Sequence, residues 1–424
     1  MMERIEKIFL PLANKLSTNR YLAAIRDGFV AILPIMIAGS FFILINNVFI
    51  GEDGFTDKLF GMPFENLKQL GASIAPATLS VMSILLTFTT AKALTEYYKD
   101  DTTILPTISV VSLFILMPIT FDGDLGIEYI NTFYTGSAAL FMAFISSIFT
   151  VEILHRLSKV KKLIIKMPES VPPSIARSFN KLVPVLITML IFGVIRIITN
   201  LIGSPLNNLI FELIQTPFTN IVSSTAGVII IYFLYMLLWG MGVHSAFIFN
   251  PILEPIFLTS LSENVANVEA GSAMTEIITK PFIDSFMFMG GAGNMLALII
   301  AIFIVSRKEE YRKIGKIGLA PALFNISEPI MFGLPVVMNP ILIIPMIVST
   351  LAGLGIGMIA TTIGIISNTY ILIPWTTPPI ISAFLATGGD FFAAIVALVV
   401  LVVSVLIYMP FVAITNKQRI EYND

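Results

Sequence analysis

The chain has no cysteine among its 424 residues and only two histidines, His155 and His244. The first absence excludes disulfides, thiolate metal sites and cysteine nucleophiles, and the second excludes a multi-histidine metal cluster. Charge is scarce as well. Asp, Glu, Lys and Arg make up 12% of the residues, about half of what a soluble domain carries. No basic run is interleaved with aromatics, so no nucleic-acid surface is expected. The N-terminus lacks the pattern of a cleaved signal peptide: Met1–Lys15 mixes charges, and Pro11 interrupts its apolar run. Ile5, Ile8, Phe9 and Leu12 share one helical face, which fits a helix lying on a membrane surface or an amphipathic start to the first span.

What is present in quantity is apolar length. Hydrophobic residues account for 56% of the chain, too many for a water-facing surface to cover. Uncharged stretches long enough to cross about 30 Å of hydrocarbon run Gly28–Ile50, Leu70–Ala91, Thr102–Phe121, Tyr129–Val151 and Leu182–Phe211, the last broken only by Arg196. They continue with Leu213–Leu253, whose one ionisable residue is His244, then Ser285–Ser306, Pro329–Gly389 and Phe391–Asn416.

The loops sort by sign. Arg156, Lys159, Lys161, Lys162, Lys166, Arg177 and Lys181 crowd one connection, and Arg307, Lys308, Arg312, Lys313 and Lys316 another; Lys417 and Arg419 lie near the C-terminus. The segments Glu52–Asp57, Asp122–Glu128 and Glu263–Glu276 are acidic. The positive-inside rule puts the basic loops and both termini in the cytoplasm. Parity then gives four spans before residue 156, four between Leu182 and Arg307, and two more near Ile341–Ile365 and Phe391–Phe411. The expected fold is therefore an all-α polytopic membrane protein of about ten transmembrane helices, with lipid bilayer as solvent. The short span Ser245–Leu261, carrying Pro251 and Pro255, is its weakest member.

Ile317–Pro340 and Tyr370–Gly389 are apolar but dense in proline and glycine. Irregular backbone at membrane depth survives only where protein or a wet cavity covers it, so both read as re-entrant hairpins, the kind of broken segment that marks substrate sites in transporters. No internal repeat is evident. The polar, proline-rich stretch from Met167 to Arg177 divides the chain into a regular N-terminal bundle, 1–181, and a C-terminal half, 182–424, that holds the site.

Two ionisable residues stand out in that half. Glu328, in Phe324-Asn-Ile-Ser-Glu-Pro-Ile-Met-Phe-Gly-Leu-Pro335, is a carboxylate in apolar surroundings, which is costly and points to a cavity or a partner. The competing reading is a carboxylate at the cytoplasmic mouth, neutralised by Lys313 or Lys316. His244 ends Trp239-Gly-Met-Gly-Val-His, followed by Ser245; Gly240 and Gly242 break the helical pattern just before it. Its plain alternative is a buried imidazole bonded to a carbonyl. Trp239 and Trp375 are the only tryptophans and suit either an interfacial belt or stacking on a sugar ring. Asn294 and Asn325 could supply amide contacts, while the glycines around Asn294 serve helix packing equally well. One acid, one imidazole, amides and indoles favour a neutral polar substrate. An anion would call for intramembrane cations, and only Arg196, which can snorkel to the outer interface, approaches that.

At these segments the chain resembles the IIC membrane component of the bacterial phosphoenolpyruvate-dependent sugar phosphotransferase system, in its lactose/cellobiose/diacetylchitobiose family. The resemblance rests on Arg26-Asp-Gly-Phe-Val-Ala-Ile-Leu-Pro34, Met167-Pro-Glu-Ser-Val-Pro-Pro173, Trp239–Ser245 and Asn325–Pro340. It implies ten spanning helices with two re-entrant hairpins in the bacterial cytoplasmic membrane, a homodimer formed through the N-terminal half, and a disaccharide, of diacetylchitobiose or cellobiose type, phosphorylated on its 6-hydroxyl as it enters. The phosphoryl group would come from a phosphocysteine on IIB. With no cysteine here, IIB is expected as a separate polypeptide, so that the chain is a sugar phosphotransferase only together with it, needing neither cofactor nor metal. The resemblance maps the family's glutamate and histidine onto Glu328 and His244, as groups acting at the reacting hydroxyl. Trp239, Gly240, Ser245, Asn294, Asn325 and Trp375 complete the candidate sugar site. A proton-coupled symporter using Glu328, and a sugar sensor or channel without chemistry, are the alternatives.

Overall fold

A computed structural model of the protein describes residues 11, 15–16, 18–50, 56, 67–165, 167–168, 171–334 and 336–416. The amphipathic face at Ile5, Ile8, Phe9 and Leu12, and Lys166, Pro335, Lys417 and Arg419, lie outside them.

Seventeen helical segments carry the described chain, beginning with α1 Arg20–Leu44, α2 Lys68–Leu79, α3 Met82–Tyr97, α4 Ile104–Leu116 and α5 Leu140–Leu157. Next come α6 Pro173–Asn180, α7 Leu182–Leu201, α8 spanning Leu206–Ser223 with a π turn at Phe211–Gln215, α9 Thr225–Gly240 and α10 Ala246–Glu269. The last seven are α11 Lys280–Phe286, α12 Met295–Val305, α13 Glu309–Leu323, α14 Glu328–Gly333, α15 Pro340–Thr362, α16 Ile381–Ala386 and α17 Phe391–Thr415. The all-α expectation meets one exception among the described residues. In the acidic loop after α4, strands β1 Thr120–Asp122 and β2 Ile127–Tyr129 pair antiparallel, with Thr120 opposite Tyr129.

Length and composition qualify five described helices as membrane spans: α1, a helical stretch Ser137–Leu157 that contains α5, α7, α15 and α17. The number rises to seven if each of two bent pairs counts once: α2 with α3, bent by 44°, and α8 with α9, bent by 78°. Two shorter apolar helices, α4 and α12, stand beside them. The segment around Pro251 and Pro255, expected as a short span, is instead one 24-residue helix, α10.

Packing follows the apolar faces. In the first part, α1 lies along α2 and α3, and α4 and α5 pack on α3 and on each other. Gly28 lets α1 close on α3: a Cβ there would lie 2.4 Å from Thr90 Oγ1. The largest hydrophobic core is drawn wholly from residues 222–412, where α15 and α12 pack on α17, and α9 on α15. Helix α7, grouped by sequence with the C-terminal half, packs on α4 and α5. A smaller apolar cluster joins Ile25, Phe29, Ile32 and Met36 of α1 to Leu258 and Leu261 of α10 and to Leu372.

The hairpins differ from expectation. Ile317–Leu323 ends the charge-rich helix α13, and the break comes after it, at 324–327 and between α14 and α15. The span expected at Ser285–Ser306 is not one continuous helix: only Met295–Val305 of it forms an apolar helix. Residues 273–279 run without helix, α11 lasts seven residues, and Gly290, Gly291 and Gly293, at φ +86°, +87° and +85°, turn the chain before α12 begins at Met295. Only glycine takes such angles without strain. The second hairpin falls where expected: an extended limb, α16, then Gly388 and Gly389 at φ +76° and +94°.

Seen together, the two hairpins are copies of one pattern, although no repeat was expected. Pro281-Phe-Ile-Asp-Ser-Phe-Met-Phe-Met-Gly-Gly291 matches Pro379-Ile-Ile-Ser-Ala-Phe-Leu-Ala-Thr-Gly-Gly389 at both prolines, Ile283/Ile381, Phe286/Phe384 and both glycine pairs. They pack against each other through α11 and α16. Asn264 of α10 stitches their extended limbs, donating to the carbonyls of Glu276 at 2.7 Å and Thr369 at 3.0 Å. Thr279 and Thr369 share a hydroxyl–hydroxyl bond of 2.5 Å.

Candidate functional site

Between α1, α9, α10 and the two hairpins lies a cavity of about 370 Å³, within the range of about 300–1,000 Å³ usual for small-ligand sites. Its apolar wall is the face of α1 carrying Val30, Leu33 and Ile37, spaced at helical intervals below Arg26. The remaining lining is mixed: polar and aromatic groups from α9, α10 and the broken segments stand among aliphatic Leu258, Leu372 and Ile373.

Helix α9 ends at Gly240, and Gly242, at φ +82°, turns the chain toward α10. Ser245 holds this corner by donating from Oγ to the Tyr235 carbonyl at 2.5 Å. His244 is thereby presented to the cavity, stacked on Phe247 at 4.1 Å with 9° between planes, and met edge-on by Trp239 at 4.3 Å. Its Nε2 stands 3.6 Å from Oε1 of Glu328. Lys313, the alternative partner of Glu328, pairs instead with Glu309 at 3.7 Å. His244 and Glu328 are partly exposed toward the cavity, with side-chain exposures of 37% and 45%.

Glu328 starts the short helix α14, and the turn before it is tied down by Asn325. That amide is fully engaged: Oδ1 accepts from Gly290 N at 2.8 Å, and Nδ2 donates to the carbonyls of Trp375 at 2.7 Å and Thr377 at 2.9 Å. One side chain thus fixes the glycine turn of the first hairpin, the Trp375 segment of the second, and the loop carrying Glu328.

The structure brings Trp239, His244, Asn325, Glu328 and Trp375 to one cavity. Gly240, Ser245 and Asn294 are not in its lining. A Cβ on Gly240 would meet Ile343 at 2.8 Å, so this glycine serves packing against α15. Asn294 is buried, accepting from Met289 N at 2.9 Å and donating to Ser404 Oγ at 3.2 Å.

The cavity also holds charged groups that the sequence reading passed over. Lys280 Nζ donates to both oxygens of Asp284 at 2.6 Å, and Asn250 Nδ2 donates to Glu254 Oε1 at 3.2 Å. The i,i+4 pair of opposite charges inside an apolar hairpin was the available signal. Lys280 is a cavity-lining cation that the sequence reading did not name beside Arg196, which donates to the Ile115 carbonyl at 3.0 Å. Among the described residues, Trp239 Nε1 and His244 Nδ1 are buried without a hydrogen-bond partner. A buried donor without a partner is costly unless a ligand supplies one. Indole faces, an unpartnered indole N–H, an unpartnered imidazole nitrogen and a carboxylate around one pocket can hold a polyhydroxylated ring and take a proton from it.

Comparison with known proteins gives a family. The model described as phosphotransferase system, EIIC matches residues 26–350. The lichenan permease IIC component of Bacillus subtilis is 33% identical, covering 99% of this chain and 95% of its own. The cellobiose-specific EIIC component of Geobacillus stearothermophilus is 32% identical, covering 98% and 94%. The crystal structure of the transporter ChbC, the IIC component from the N,N'-diacetylchitobiose-specific phosphotransferase system, superimposes with a TM-score of 0.90 at 32% identity over 98% of both chains.

Proposed function

The chain belongs to the phosphotransferase system EIIC family, and from that premise we propose that it carries a β-linked disaccharide, of cellobiose or diacetylchitobiose type, across the bacterial cytoplasmic membrane and phosphorylates it on the way. The observation that carries this reading is the cavity in which Glu328, His244 and Trp239 converge. The names of the relatives support the sugar class.

In the proposed step the sugar 6-hydroxyl attacks the phosphorus of a phosphocysteine. The S–P bond breaks, an O–P bond forms, the thiolate leaves with IIB, and the hydroxyl proton passes to the Glu328 carboxylate. Such transfers depend mainly on positioning and charge stabilisation. His244, held by Phe247 and Trp239 and 3.6 Å from Glu328, orients that carboxylate. Trp239 and Trp375 stack on or bond the sugar. None of these 424 residues is cysteine, so the phosphocysteine is supplied from outside them, with the basic connections at 156–181 and 307–316 as docking surfaces for IIB.

The wider architecture is part of the proposal. Ten spans result if α10, α4 and α12 join the seven that length supports, with both termini cytoplasmic. The boundary between the bundle that forms a homodimer and the sugar-binding half is placed after α7, since that helix packs on α4 and α5. The test is energy dependence in vesicles. Phosphoenolpyruvate, the general phosphotransferase proteins and IIB are required, and sugar phosphate is the product. Uptake of unmodified sugar that collapses with the proton gradient would establish a symporter instead.

A further inference from the structure

The segment Arg26–Pro34 is mostly explained by packing: Gly28 admits α3, while Phe29 and Ile32 are core. Arg26 is not. It lines the cavity from α1, the one wall contributed by the first part of the chain. Its guanidinium lies over Phe247 at 4.8 Å, the same ring on which His244 stacks. Nε and Nη2 both point to Oδ1 of its sequence neighbour Asp27, at 2.8 and 2.7 Å, and no bond from Nη1 occurs among the described residues. Asp27 is half exposed, so the pair is a loose one.

Two cations line the cavity, and they are placed very differently. Lys280 is half-buried and held by both oxygens of the buried Asp284. Arg26 is partly exposed, lies over the Phe247 ring on which His244 stacks, and among the described residues is paired only with its exposed sequence neighbour Asp27. The reaction proposed above brings a phosphoryl dianion beside the Glu328 carboxylate, where like charges repel. A guanidinium, a planar fork that matches phosphate oxygens, is the group that relieves this. α1 rises about 1.5 Å per residue, which puts Arg26 less than two turns from the start of its helix, at the end from which a cytoplasmic donor would arrive.

We infer that Arg26 is the phosphoryl-binding residue of this site, releasing Asp27 to grip the equatorial oxygens of the group in transfer and, after transfer, of the sugar 6-phosphate. The inference rests on the phosphoryl-transfer reading of the cavity. It assigns sugar recognition to the C-terminal hairpins and phosphate recognition to the N-terminal bundle, so a competent site needs both parts of the chain in register.

Binding of cellobiose, N,N'-diacetylchitobiose and their 6-phosphates to the purified full-length protein tests it, alongside transfer from phosphorylated IIB. Arg26→Gln is expected to weaken 6-phosphate binding roughly tenfold to a hundredfold, the size of a charge-assisted contact, with affinity for the unphosphorylated sugar changed less than about threefold. Arg26→Lys falls between. Asp27→Asn, which frees the guanidinium, is expected to keep or strengthen 6-phosphate binding. The inference is overturned if wild type and Arg26→Gln bind the 6-phosphates alike, if Arg26→Gln weakens both forms equally, or if Asp27→Asn loses 6-phosphate binding as Arg26→Gln does. Phosphorylated IIB separates the two phosphoryl sources: loss of transfer with intact 6-phosphate binding would place the contact on IIB alone and overturn the product arm. Failure of the underlying reading has a separate signature, namely no sugar phosphate from wild-type protein with phosphorylated IIB.

Discussion

The amide of Asn325 accepts the backbone N–H of Gly290 at 2.8 Å while donating to the carbonyl of Trp375 at 2.7 Å. Two hairpins and the Glu328 loop therefore share one side chain. Asn325→Ala removes three buried bonds and is expected to cost about 2–4 kcal/mol at roughly 1 kcal/mol or more per bond. A lowered melting temperature together with lost sugar affinity checks this. Unchanged affinity would mean that the hairpins hold their positions without it.

Trp239 offers the opposite balance. Its indole N–H is buried and unpartnered among the described residues, while its ring packs on His244. Trp239→Phe keeps most of the buried ring and removes the orphan donor. Stability is expected to change by less than about 1 kcal/mol, while disaccharide affinity falls roughly five- to twentyfold, the worth of one hydrogen bond. Calorimetric titration paired with a melting curve separates the two. Equal affinity would show that the donor faces no hydroxyl.

Half-buried Lys280 pairs with the buried carboxylate of Asp284. Lys280→Met strands the Asp284 carboxylate, at a cost of about 3–5 kcal/mol. Lys280→Met with Asp284→Leu is expected to restore most of the melting temperature but not sugar affinity. Normal binding by the double variant would reduce the pair to a packing device.

Asp100, beyond the end of α3, reports on acid stability. Burial alone would push its carboxyl up, but bonds from Lys181 Nζ at 2.5 Å, from His155 Nδ1 at 2.8 Å and from the Asp101 backbone outweigh that and hold it below its ordinary value. With the folded value depressed, the stabilisation is complete above the unfolded value of about 3.9 and is lost as pH falls through the folded one. The melting temperature is expected to drop as pH is taken below about 4. Asp100→Asn is expected to start lower, by about 1.5–3 kcal/mol, and to lack its share of that drop.

Much of this was legible in the sequence, and the failures have physical causes. Long uncharged runs betray helices because lipid or core must cover them, which is why α1, α15 and α17 stand where expected. Glu328 and His244 were visible because charge is rare around them. The break expected over Ile317–Pro340 begins later than that, since Pro321 still lies within α13; the chain leaves helix at 324–327 and again between α14 and α15, which Pro340 starts. The further break before α12, which was not expected, is made by Gly290, Gly291 and Gly293, whose positive φ has no period to reveal it. Lys280 and Asp284 were hidden by adjacency to the acidic segment 263–276, and Arg26 because α1 reads as an ordinary span. The repeat escaped because its copies agree at only five of eleven positions, too few to show without the structure.

Glu328 remains the centre of the account, and one comparison tests it most directly. Purified wild-type and Glu328→Gln proteins are each given the disaccharide and phosphorylated IIB, with sugar binding and the rate of sugar-phosphate formation both measured. Glutamine preserves size and hydrogen bonding but accepts no proton. Sugar binding is expected to stay within a few-fold of wild type while phosphoryl transfer falls by about 10²-fold or more. Transfer at the wild-type rate by Glu328→Gln would contradict the assignment.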